Sequence, residues 1–72
     1  MSETSTASPY MTTRELAVLI RKTPAAVRQM RYRGEAPAGM RIGRGVIYER
    51  SVVAAWLAAK AASDPLAQRA AA

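Results

Sequence analysis

The stretch that decides the fold runs from Thr23 to Gly34 and reads TPAAVRQMRYRG. Thr23 is a favourable N-cap residue, and Pro24 suits the first helical turn, where its missing N–H has no helical partner to lose. Gly34 can adopt the left-handed conformation that ends many helices. The sequence therefore predicts a helix of about ten residues between these two signals.

The two faces of this helix differ in chemistry. Ala26, Val27 and Met30 recur at helical spacing and are predicted to pack inward. The opposite stripe follows the i, i+3, i+4, i+7 pattern and consists of Ala25, Arg28, Gln29 and Tyr32. With Arg31 and Arg33 beside it, this stripe is typical of a helix that lies in a DNA groove. The alternative is a solvated amphipathic helix without a ligand.

The charge of the chain is strongly basic and unevenly placed. The 72 residues make one small domain and carry 11 Lys or Arg against 5 Asp or Glu, a net charge of +6. Most of the basic residues fall in one segment: Arg14, Arg21, Lys22, Arg28, Arg31, Arg33, Arg41, Arg44 and Arg50. Only Glu15, Glu35 and Glu49 oppose them there. A localised surplus of this kind indicates a polyanion-binding protein, the alternative being charge that only maintains solubility.

The sequence offers little material for catalysis. It contains no His and no Cys, so the commonest general base, the thiol nucleophile and the usual zinc ligands are absent. The five carboxylates show no pairing by spacing, and no glycine-rich phosphate loop stands between a strand and a long helix. We expect no enzyme, no cofactor and no metal site. No long apolar run or export leader is present, so a cytoplasmic protein without membrane contact is expected.

Another helix is predicted on the N-terminal side of the Thr23 helix, so in chain order it is the first helix and the Thr23 helix is the second. Residues 1–9 are expected to be a flexible arm, and Thr12 and Glu15 then form a capping box. The helix is predicted to run from about Thr13 to Arg21. Three apolar residues are predicted to face the core: Leu16, Leu19 and Ile20. Two helices joined by so short a turn indicate a helix-turn-helix arrangement.

A β-hairpin is predicted after the helix pair. The runs Met40-Arg41-Ile42 and Val46-Ile47-Tyr48 flank Gly43-Arg44-Gly45. Strand alternation predicts four core-facing residues: Met40, Ile42, Val46 and Tyr48. Arg41 then points outward and Arg44 lies at the tip. Such a tip suits contact with phosphates or a minor groove, the alternative being an ordinary turn with an incidental arginine.

A third helix is predicted from Arg50 or Ser51, with Ser51 as a possible cap. Its inward stripe is Val53, Trp56 and Leu57, and Trp56 is predicted to occupy the centre of the core. Asp64-Pro65 ends this helix. Residues 63–72 are expected to be a frayed or disordered tail.

This order of elements resembles the small winged helix-turn-helix proteins of the excisionase family, which are related to the DNA-binding heads of MerR-type regulators. The motifs that carry the resemblance are Met11-Thr12-Thr13-Arg14-Glu15, Ala17, Thr23-Pro24, Val27-Arg28, Gly34, Pro37, Gly43-Arg44 and Trp56-Leu57. The resemblance spans about residues 10–59 and implies an α+β, mostly α fold, with three helices and a two-stranded hairpin wing in a domain of residues 10–62. In this family a Gly usually occupies the turn in which Arg21-Lys22 stand here. Val18 and Ile47 also occupy usually polar places; they are hypothesised to contact neighbouring monomers, the alternative being isolated surface residues.

The resemblance implies a protein that binds specific double-stranded DNA without catalysis. As an excisionase it would bend attachment-site DNA, associate side by side and direct an integrase toward excision. The short chain after the third helix favours this role over a MerR-type activator. Two alternatives remain: a small transcriptional regulator or repressor with the same fold, and an interaction module that binds an acidic protein.

The candidate DNA-binding residues form three groups. Those of the second helix are Thr23, Pro24, Ala25, Arg28, Gln29, Arg31, Tyr32 and Arg33, with Arg28 and Gln29 expected at base edges. Those of the first helix and the turn are Thr13, Arg14, Arg21 and Lys22, expected at phosphates. Those of the wing are Arg41 and Arg44.

Overall fold

The computed structural model describes residues 8–67, which form three helices of two or more turns and one three-stranded antiparallel sheet. In chain order the elements are β1 (Tyr10–Thr12), α1 (Thr13–Leu19), α2 (Pro24–Tyr32), β2 (Gly39–Ile42), β3 (Gly45–Glu49) and α3 (Arg50–Ala62). Residues 65–67 add one short helical turn. The predicted fold class, a small α+β winged helix-turn-helix, is confirmed. Most of the expected arm (residues 1–7) and the end of the expected tail (residues 68–72) lie outside the described residues.

The starts of α1 and α2 follow from local side-chain chemistry. Thr12 Oγ1 accepts a hydrogen bond from the Glu15 N–H at 3.0 Å, and Glu15 Oε1 accepts one from the Thr12 N–H at 2.8 Å. This is the predicted capping box. At α2, Thr23 Oγ1 accepts a hydrogen bond from the Ala26 N–H at 3.1 Å, and Pro24 occupies the first turn. Both caps are confirmed.

The ends of α1 and α2 share one backbone motif but differ in the residue that closes it. After α2 the Glu35 N–H bonds to the Met30 carbonyl at 2.8 Å, with Gly34 at φ 74°. After α1 the Lys22 N–H donates to the Ala17 carbonyl at 2.8 Å, with Arg21 at φ 63°. Both are Schellman closures. The α1 helix therefore ends at Leu19, earlier than predicted, because Arg21 has left the helical conformation.

The sheet contains one strand more than the predicted hairpin. Its order is β1-β3-β2, so β3 is central and Met11 on β1 lies opposite Tyr48. Gly39 on β2 also lies opposite Tyr48, whereas Met40 lies opposite Ile47. Successive residues of a strand point to opposite faces, so Met40 falls on the face away from the core.

This register overturns part of the hairpin prediction. Met40 is 49% exposed and Ile42 is 58% exposed, so neither lies in the core. Val46 and Tyr48 face the core as predicted. The position expected for Met40 is taken by Gly39, because the Tyr48 ring covers it: a Cβ atom built on Gly39 would lie 2.7 Å from that ring.

The core is small and centres on Tyr48. Its largest fully buried side chains are Tyr48, Leu16, Val27 and Val53, and Met11 and Ala17 complete the cluster. The prediction that Leu19 packs inward is wrong, since it is 49% exposed. Leu19 is the last residue of α1, and the buried stripe of that helix passes instead through Leu16 and Ala17 to the partly buried Ile20.

Trp56 lies at the edge of the core, contrary to the prediction. Its ring is half-buried, and its indole N–H donates to the Glu35 carbonyl at 3.2 Å. Leu57 is exposed, and Lys60 Nζ lies 5.7 Å from the Trp56 ring centroid. Trp56 therefore ties α3 to the connector that follows α2, and Val53 supplies the buried side chain of α3.

The start of α3 also holds the start of the described chain. The Arg50 N–H donates to the Pro9 carbonyl at 2.8 Å, and Arg50 Nε donates to the Ser8 carbonyl at 2.7 Å. These two bonds place Ser8 and Pro9, which were expected in the flexible arm, against α3. Glu49, not Ser51, is the N-cap residue, and its side chain makes no capping bond.

Candidate nucleic-acid interface

The α2 helix presents the predicted polar stripe to solvent. Val27 is buried, and Ala26 and Met30 are half-buried beneath the helix. The exposed stripe consists of Ala25, Arg28, Gln29 and Tyr32, as predicted. Tyr32 is 82% exposed. Neither Arg28 nor Gln29 is drawn into the core.

An arginine-lined groove of about 480 Å³ separates α2 from the hairpin. Its walls are the C-terminal half of α2, the junction of β1 with α1, and the tip of the β2–β3 hairpin. Five arginines line it: Arg14, Arg28, Arg31, Arg41 and Arg44. Its lining also includes Ile42, Val46, Ile47 and Tyr48. No Asp or Glu is among the lining residues.

The nearby carboxylates lie outside the lining of this groove. Glu15 Oε1 accepts a hydrogen bond from the Thr12 N–H, and the Glu35 carboxylate lies 3.7 Å from Arg33 Nε, beyond the last residue of α2. A guanidinium remains protonated at all physiological pH values, so the groove carries five positive charges. A concave surface of one charge sign concentrates its field and attracts polyanions.

The groove brings together only part of the predicted site. Thr13, Tyr32 and the five arginines line it. The other predicted residues of α2 lie outside it: Thr23, Pro24, Ala25, Gln29 and Arg33. Arg21 and Lys22 are exposed in the turn that precedes α2. The site is thus divided among the groove, the outer side of α2 and the turn.

Sequence reasoning missed the apolar wall of the groove. Ile42 was assigned to the core and Ile47 to the surface, yet both line the groove with Thr12 and Val46. The available signal was Gly39, because a glycine in a strand often marks a place that a neighbouring group approaches closely. If Gly39 faces the core, Met40 and Ile42 face away from it. Pairing Gly39 with Tyr48 would have placed Ile42 at the wing surface.

Two further observations concern the described chain. Between residues 8 and 67 no helix has both the length and the apolar character needed to cross a membrane. Over the same range, no three or more His, Cys, Asp or Glu side chains are grouped to hold a metal ion.

The fold and the groove define a small winged helix-turn-helix protein. The family model for the helix-turn-helix domain matches residues 10–61, which include every strand and nearly all of α3. The chain therefore belongs to the helix-turn-helix domain family, whose members are typically DNA-binding and non-enzymatic. No curated protein matches the sequence at a significant level.

Proposed function

We propose that the chain binds double-stranded DNA sequence-specifically, without catalysis or a cofactor, through α2 and the hairpin wing. The observation that carries the proposal is the arginine groove, since five guanidinium groups gathered without a carboxylate suit a phosphate backbone. The α2 helix would occupy the major groove and present Arg28 and Gln29 to DNA. The wing would place Arg41 and Arg44 beside the duplex, with Arg21 and Lys22 at phosphates before α2.

A binding titration tests this proposal. Fluorescence anisotropy with a labelled random duplex in about 50 mM KCl should show binding, because phosphate contacts are strong at low salt. A labelled poly-glutamate peptide of equal charge is the control for a general attraction to acidic chains. Binding to the peptide but to no duplex would favour the module that binds an acidic protein.

We further propose that this DNA binding serves excision of a mobile element. The support is the helix-turn-helix family, which includes excisionase-like proteins, together with the motif order noted in the sequence. In this role the protein bends attachment-site DNA in the cytoplasm and directs an integrase toward excision. An in vitro recombination assay, with the integrase and attachment DNA of the source element, should show excision that depends on this protein. DNA binding without any effect on excision, together with repression of a reporter promoter, would assign the regulator role instead.

Side-by-side association on DNA is part of this proposal. Val18 is 71% exposed on α1, and Ile47 is half-buried on the sheet face away from the core. If both contact a neighbouring monomer, Ile47→Asp and Val18→Asp should each reduce cooperativity on a DNA with several sites. Affinity for a single site should not change in Val18→Asp, whereas Ile47→Asp should also lower it, because Ile47 lines the groove. Unchanged cooperativity in both variants would show that the two residues are isolated surface apolars.

A further inference from the structure

The hairpin lies on one flank of α2, so the exposed residues of that helix face different surroundings. Arg28, Arg31 and Tyr32 line the groove, whereas Gln29 does not. Successive residues of an α-helix are rotated by about 100°, so Gln29 is turned about 100° from Arg28 and about 60° from Tyr32, on the side opposite to Arg31. Ala25 lies one turn before Gln29 at i−4 and is also outside the groove.

The chemistry of the groove suits a ligand with uniform negative charge. Arg28 shares it with Arg14, Arg31, Arg41 and Arg44 and with no carboxylate. A sugar–phosphate strand fits such a site whatever its base sequence, because the repeating charge is the same at every nucleotide. An arginine held within this field is therefore suited to a phosphate contact.

We propose, on the basis of the proposed DNA-binding function, that Arg28 is a phosphate contact and that Gln29 is the residue of α2 that determines base specificity. This assignment departs from the sequence prediction, which placed both residues at base edges. Gln29 is exposed, and its amide carries both a donor and an acceptor, the pair that matches the N6 and N7 atoms of adenine. Ala25 is the smaller neighbour on the same side, suited to contact with a thymine methyl group.

Two alanine variants test the assignment on a duplex enriched by wild-type protein from a random library. For Arg28→Ala, affinity should fall by a similar factor on the enriched and a scrambled duplex. The slope of log K against log salt should become shallower by about 0.9. For Gln29→Ala, the slope should stay the same, and the preference for the enriched duplex should fall about 5- to 150-fold.

The controls separate this inference from the proposed function. Lys60→Gln removes one positive charge on α3, away from the groove, and should leave the preference unchanged and the slope nearly so. Thermal unfolding of all variants checks that the fold is intact, as expected for exposed side chains. A new base preference in Arg28→Ala, or an unchanged preference in Gln29→Ala, would overturn the assignment. If the wild-type protein enriches no sequence, the proposed function itself fails.

Discussion

At the scale of single residues, the contact between Gly39 and Tyr48 sets the register of the wing. The Tyr48 ring is fully buried and leaves no room for a side chain at residue 39. At Gly45, at the other end of the hairpin, a Cβ atom would meet nothing closer than the Ile42 carbonyl oxygen at 3.9 Å, and the backbone φ is not positive. Substitution of Gly45 is therefore a control for substitution of Gly39, because both glycines lie in the same hairpin and only Gly39 is in close contact with a side chain.

Gly39→Ala is expected to lower the free energy of unfolding by about 1–3 kcal/mol, because the added methyl group must displace a packed ring or strand. Gly45→Ala should change it by less than about 0.5 kcal/mol. Urea unfolding of both variants measures the difference. Equal stabilities would contradict the close contact of β2 with Tyr48.

Arg21 closes α1 in a conformation that costs a non-glycine residue energy. Gly34 closes α2 in the same way without that cost. Arg21→Gly and Arg21→Ala remove the same charge, but only glycine relieves the left-handed strain. The glycine variant should be more stable than the alanine variant by about 1 kcal/mol in urea unfolding. Identical stabilities would show that residue 21 does not hold this conformation in solution.

At the scale of elements, the tip of the wing is proposed to supply charge to the interface, whereas Tyr48 and Val46 of β3 belong to or pack against the core. Arg41 and Arg44 are exposed on the hairpin, and both line the groove. The double variant Arg41→Ala, Arg44→Ala should unfold at nearly the wild-type urea concentration. The slope of its log K against log salt should be shallower by roughly 2, because two phosphate contacts are lost. A slope equal to that of wild type would remove the wing from the DNA contact.

The elements also show what sequence can predict here. The limits of α2 and the start of α1 were predictable because Thr12, Thr23 and Gly34 act within one helical turn of themselves. The register of β2 depends on Tyr48 covering Gly39, a contact between two strands, and the only local signal for it is the glycine itself. Strand β1 was missed because its three residues pair with a segment more than thirty positions away.

The part of the site that depends on local helical spacing was predictable, and the part that depends on packing between elements was not. The exposed stripe of α2 follows from helical spacing alone, and the structure confirms it. Which members of that stripe face the wing depends on how the hairpin packs against the helix pair. Arg28 and Gln29 are adjacent in sequence and both belong to the exposed stripe, but only Arg28 lines the groove.

At the scale of the whole molecule, a small core supports a strongly basic surface. Six residues form the buried cluster, and nine Lys or Arg fall in the stretch from Arg14 to Arg50. Arg33 forms an ion pair with Glu35, and the five arginines of the groove share their site with no carboxylate. The proposed function therefore depends on the charge distribution of the molecule as much as on its fold.

The salt dependence of duplex binding tests the central claim most directly. Dissociation constants for one duplex should be measured from about 50 to 300 mM KCl by fluorescence anisotropy. With about six phosphates neutralised by the groove and the turn, log K should fall against log salt with a slope of roughly −5. A slope near zero would contradict an interface in which arginine–phosphate contacts hold the protein on DNA.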